Sequence, residues 1–182
     1  IVTEEVNQVK IPDWVFKGYG LPVESRNFSY VDMLNKEGLL VDHWRKGSSV
    51  PDISRQETQL WFYYLACSYI NVGCEAFHLG QIELIGMNDP ERDSWARVIA
   101  KIREYARTQA RRHWVLLDAH TPYGGMVRNG VSLLDFNAFP LRIKEIPSEP
   151  YKAELAVNHL DALYKKSKGC ISPSGWKCEH LP

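Results

Sequence analysis

The sequence lacks most features that narrow a function at a glance. No apolar run reaches the ~18 to 20 residues that a membrane-spanning helix needs, and no signal peptide is read at its start. Neither sign of charge is in excess. The 22 basic residues balance 22 acidic ones, so the electrostatic footprint of a nucleic-acid or anionic-membrane partner is missing. There is no GxGxxG and no GxxxxGK[ST], which removes the usual sequence support for a dinucleotide or P-loop site. "YGG" at 123–125 is only a turn. No low-complexity tract or short repeat is present. Four cysteines, Cys67, Cys74, Cys170 and Cys178, show no CxxC spacing and no nearby histidine cluster, so no metal and no cofactor is expected. Cys67 and Cys74 read as buried small residues in a reducing compartment, and the expected location is cytoplasmic. A Cys170–Cys178 bridge is open to the chain but unsupported by the sequence.

What is present suits a folded domain. The 182 residues are 45% hydrophobic and 12% aromatic, enough for a sizeable core in one domain over 1–182. There is no initiator Met, and residue 1 falls inside the strand-like "IVTEEV". The chain is therefore expected to be a processed form or a piece of a longer one.

Helices and strands alternate along it. "SRQETQLWFYYLACSYINVG" carries Ser54 and Glu57 at capping-box spacing and is apolar nearly all round, a buried helix ending at Gly73. "NDPERDSWARVIAKIREYARTQARR" has Asp89 as cap, Pro90 at the first helical position, and Trp95, Ile99, Ile102 and Ala106 on one face. Its arginines, Arg97, Arg103, Arg107 and Arg111, mostly take the solvated faces. Strands are expected at about 75–85, about 113–120 and from about 131, and a further helix over "YKAELAVNHLDALYKKSKG" from Ser148 and Pro150. Residues 24–53 read as a long loop excursion, a length that is often functional.

Strand, helix, strand, helix implies βαβ units on a parallel sheet. Alternate residues of a strand share a face. In "AFHLGQIELI" one face carries Phe77, Leu79, Gln81 and Glu83, while His78 is placed with the residues that pack on helices, as a core histidine. Leu116, Asp118 and His120 share a face in the next strand, and Leu133, Asp135 and Asn137 in the third. Each strand thus starts apolar and ends with two polar residues on one face. Catalytic groups of a (β/α)8 barrel sit at such carboxyl ends. The expected fold is α/β, a TIM-barrel-like parallel sheet with core strands over 75–145. A closed barrel needs ~250 residues, so it is incomplete as given.

"GQIEL" and "LLDAH" resemble the strand ends of glycoside hydrolase barrels, in architecture and residue type. The resemblance implies hydrolysis of a glycosidic bond between two carboxyls. Glu83 would be the general acid and Asp118 the nucleophile or base. Gln81, His120, Asp135 and Asn137 would bind substrate hydroxyls, and Trp44 and Tyr123 would stack on a sugar ring. The partners implied are a carbohydrate or other small molecule, with neither nucleic acid nor membrane, and the rest of a longer chain or further copies to complete the barrel. Two other readings stay open. One is a metal-dependent hydrolase with Glu83, Asp118, His120 and Asp135 as ligands. The other is a non-catalytic carbohydrate-binding or scaffolding barrel.

Overall fold

The structure, a computed structural model, describes residues 1–121, 125–138, 143–155, 170–173, 175 and 177–178. The chain divides into two compact units, residues 1–77 with 84–115, and residues 78–83 with 116–182.

The first unit is mainly helical. Its elements include β1 (Val2–Thr3), α1 (Asp13–Tyr19), α2 (Tyr30–Met33), β2 (Ser48–Ser49) and α3 (Gln56–Asn71). The chain then runs through β3 (Ala76–His78) and α4 (Ile82–Ile85), which span the boundary between units, to α5 (Asp93–Gln109). α5 forms where the apolar spacing predicts. Trp95, Val98, Ile99, Ile102 and Ala106 are at most 2% exposed, and this stripe packs on α3. The helix starts at Asp93 with Arg92 in the N-cap position, so Pro90 lies before it rather than at its first position, yet Asp89 still serves its first turn: Oδ1 accepts the Ser94 N–H and Oδ2 the Trp95 N–H, both at 3.0 Å.

α3 differs from its expected start. Ser54 and Glu57 do not form a capping box. Arg55 takes the N-cap position without a side-chain cap. Glu57 is drawn elsewhere: its carboxylate accepts both terminal nitrogens of Arg26, at 2.7 and 2.9 Å, and the Ser29 N–H at 2.9 Å. A bidentate arginine supplies stronger donors than a reciprocal cap would. The same pair holds the Arg26 guanidinium above its ordinary pKa: the Glu57 hydrogen bonds raise it, against a partial loss by burial. Gly18 lets α1 approach α3, because a Cβ there would collide with the Tyr63 ring. Trp14 then meets Tyr63, Tyr64 and Tyr105 at centroid distances of 6.0–6.2 Å.

Asp52 ties this unit together. It is fully buried, and its carboxylate accepts the Asn35 amide at 3.1 Å, the Asn88 amide at 2.9 Å and the Ser54 N–H at 2.9 Å.

The second unit is built of short strands: β4 (Leu116–His120), β5 (Val127–Arg128), β6 (Val131–Ser132), β7 (Phe136–Ala138), β8 (Ile143–Glu145), β9 (Ala153–Leu155), β10 (Cys170–Ile171) and β11 (Lys177–Cys178). The expected parallel barrel is not there. The described strands form four small sheets, ordered β1-β2, β11-β10-β6-β5, β3-β4-β7 and β8-β9. β4–β7 and β6–β10 pair parallel, but β1–β2, β5–β6, β8–β9 and β10–β11 pair antiparallel.

Local turn chemistry explains the departure. Asn129 and Gly130 adopt φ of 51° and 77°, the pattern of a type I′ hairpin turn, and fold β5 onto β6, while the single strand expected from 131 breaks at 133–135 into β6 and β7. Farther on, Pro147 and Pro150 accompany two turns, closed by Glu149 N–H to the Ile146 carbonyl and Lys152 N–H to the Glu149 carbonyl. The chain returns as β9 at Ala153–Leu155, where the helix from Ser148 was expected to begin. The remainder of that expected helix, 156–169, lies outside the described residues.

Among the described residues no helix is long and apolar enough to cross a membrane.

Two outcomes follow from these contacts. Asp52→Ala removes the acceptor of three hydrogen bonds, of which the one from Asn35 is buried, and should cost about 1 to 3 kcal/mol, read as a lower urea midpoint at unchanged m-value. Burial pushes the Cys67 thiol up to about 12, only partly offset by the Tyr63 hydroxyl, so at pH 8 it stays protonated. Iodoacetamide at that pH should label exposed Cys74 and spare Cys67 in the folded chain, as mass spectrometry of digests will show.

Candidate functional site

The second unit gathers polar side chains around the ends of β3 and β4. β4 alternates cleanly: Leu117 and Ala119 are fully buried, while Leu116 is 42% exposed and Asp118 and His120 are half-buried on the opposite face. The buried side is therefore that of Leu117 and Ala119, and the polar pair stands on the open side of the sheet. Its link to the chain after β3 is made by Leu79 N–H to the Asp118 carbonyl at 2.8 Å and His120 N–H to the Gly80 carbonyl at 2.9 Å.

β3 itself stops at His78. Gly80 has φ +63°, a left-handed conformation that ends extended structure and suits glycine. Beyond it Gln81 is exposed, Ile82 opens α4 and is fully buried, and Glu83 is half-buried in the first turn of that helix. Gln81 and Glu83 are thus not the polar end of a strand. The two-residue alternation had been carried across a glycine where the backbone turns.

His78 falls on the polar side as a result. Its Nδ1 lies 3.0 Å from Asp118 Oδ1, and its ring centroid is 4.6 Å from that of His120. The His78 and Asp118 side chains keep 43% and 34% of their surface open to solvent. A carboxylate only accepts, so Asp118 orients the ring with its proton on Nδ1 and leaves Nε2 as the basic nitrogen. The strand alternation places His78 in the core, whereas the structure sets it against Asp118. The glycine two residues later was the signal that the strand period ends there.

The third expected strand is also reordered. Asp135 precedes β7 rather than ending it. Its N–H donates to the Leu117 carbonyl and its Oδ2 accepts the Leu117 N–H, both at 2.9 Å, so it fixes the start of the β4–β7 pairing. Asn137 lies in β7 opposite Ala119. Tyr123 lies outside the described residues. Trp44 belongs to the first unit, 46% exposed on the 34–50 loop, with His43 edge-on at 4.8 Å. The structure thus brings His78, Asp118 and His120 together on one sheet face and keeps Asp135 in a backbone-pairing role. Of the three in-register polar pairs expected, only Asp118 and His120 end a strand.

Among the described residues no three His, Cys, Asp or Glu side chains are grouped to hold a metal ion. The first unit has a polar concavity of about 460 Å³, whose lining includes Arg26, Asp32, Arg55 and Glu57. Its charges face one another, Arg26 on Glu57 and Arg55 at 3.7 Å from Asp32.

No family model, curated protein or solved structure matches the chain. The glycoside hydrolase barrel that the strand ends resemble is overturned by the small, partly antiparallel sheets.

The His78 tautomer is directly measurable. Long-range ¹H–¹⁵N spectra should show Nδ1–H in the native protein and a shift toward Nε2–H in Asp118→Ala. A native ring protonated only on Nε2 would contradict the pairing.

Proposed function

We propose that the second unit carries a hydrolytic site acting on a glycosidic bond, with a carbohydrate as the partner it recognises. The observation that carries this reading is the 3.0 Å contact between His78 and Asp118, half-open to solvent and flanked by His120. An imidazole oriented by a carboxylate is an effective acceptor for a proton from water. Glu83, half-buried on α4, supplies the second carboxyl that glycosidic cleavage needs. Gln81 and His120 offer hydrogen bonds to hydroxyls.

In this scheme His78 Nε2 takes a proton from water while the oxygen attacks the anomeric carbon. The C–O bond breaks toward the leaving oxygen, which receives the proton of Glu83 in its acid form. Asp118 is a positioning residue that acts through His78. The scheme is a single displacement and inverts the anomeric centre.

The test is turnover on a panel of aryl and natural glycosides, with anomers resolved by NMR. Asp118→Asn, His78→Ala and Glu83→Gln should each lower kcat by ~10²- to 10⁴-fold with little change in Tm. Saccharide binding without turnover in the native protein would replace this reading with a non-catalytic binding one. Full activity in Glu83→Gln would remove that residue from the mechanism.

A further inference from the structure

The geometry of the β10–β11 hairpin points to a disulfide between Cys170 and Cys178. The two strands pair antiparallel, and the register sets Cys170 directly opposite Cys178, with Ile171 opposite Lys177. Directly opposed residues of an antiparallel pair have Cα atoms about 4.5 to 5.5 Å apart. That lies inside the ~4.4 to 6.8 Å range a disulfide spans, and Cys170, a thiol in this structure, would close the bridge on oxidation. The connection between them is pinned by a turn, with Gly175 N–H on the Ser172 carbonyl at 2.9 Å and Gly175 at φ +91°. β10 in turn pairs parallel with β6 through Ile171 and Val131, and Ile171 N–H donates to the Gly130 carbonyl at 2.8 Å. The pair therefore sits in a hairpin whose register is set from both sides. Cys67 and Cys74 belong to the first unit, and neither lies in a paired strand.

Formation is ordinary thiol–disulfide exchange with a small disulfide as oxidant, oxidised glutathione in the test below. The thiolate of one cysteine attacks that disulfide, giving a mixed disulfide and releasing one small thiol. The second thiolate attacks the bound sulfur, closing the protein bridge and releasing the other. Two protons and two electrons leave the cysteine pair, and the small disulfide carries them away as two thiols. Such a bridge persists in an oxidising compartment, so it revises the cytoplasmic location expected from the cysteine pattern.

The sequence offers a clean readout. Trypsin cuts after Lys168 and Lys177, placing the two cysteines on separate peptides. The full chain is equilibrated with mixed reduced and oxidised glutathione, alkylated and digested without reduction. The expected product is peptide 169–177 joined to the peptide beginning at Cys178, separating on reduction with a gain of about 2 Da in total. In denaturant the oxidised chain should titrate two of its four thiols, and Cys178→Ser should titrate three. Separate, alkylated Cys170 and Cys178 peptides even in oxidised glutathione alone would overturn the proposal, as would Cys170 joined to Cys67 or Cys74.

Discussion

The first unit depends on a buried carboxylate that, among the described residues, is met by amides rather than by a cation. Asp52 lies at 0% exposure where three chain segments meet: the loop after α2, the approach to α3, and the turn before α5. A buried charge is tolerated only when its lone pairs are filled, and here amides and a backbone N–H fill them. Its backbone joins in, with Asp52 N–H on the Met33 carbonyl and Ile53 N–H on the Ile85 carbonyl. One residue thus fixes how the loop over 34–50 is seated and where α3 begins. Glu57, one turn later, does the same for the 24–29 segment through Arg26 and Ser29. The long excursion is ordered by the two acids at the head of one helix.

The second unit obeys a different rule. Its described strands run two to five residues, and only β4, β6 and β10 have a neighbour on both sides. The polar cluster sits on the longest of them, β4, whose other face is fully buried. Burial on one side gives β4 a fixed register, and the open side then holds Asp118 against His78. Precision at the proposed site comes from the strand that is best packed.

The helices were legible because their signals are local and redundant. α5 declared itself through its apolar stripe, on which the buried residues fall, although it starts at Asp93, three residues after the expected Pro90. The sheets were not, because a two-residue period cannot tell a parallel strand from one arm of a hairpin. Asn129-Gly130 carried the deciding information, and an Asn-Gly step is a strong local signal of reversal. Gly80 played the same part for the site. Running the alternation through it put Glu83 on a strand and His78 in the core. Asp118 and His120 were placed correctly as strand-end partners on one face, because β4 is long enough for the period to hold. The carboxylate–imidazole contact itself spans 40 positions in the chain, and no local pattern encodes it.

The parallel pairing of β6 with β10 has a kinetic consequence. The hairpins β5–β6, β8–β9 and β10–β11 close over short loops, and such elements form in about 1 to 10 μs. Joining Val131 to Ile171 instead closes a long span of chain before any contact rewards it. The four-stranded sheet is therefore assembled from finished hairpins, and its one parallel seam is the step that sets the pace. Until that seam closes, the edges of β6 and β10 stay open to strands of another molecule, which makes slow zippering the moment of greatest exposure to misassembly.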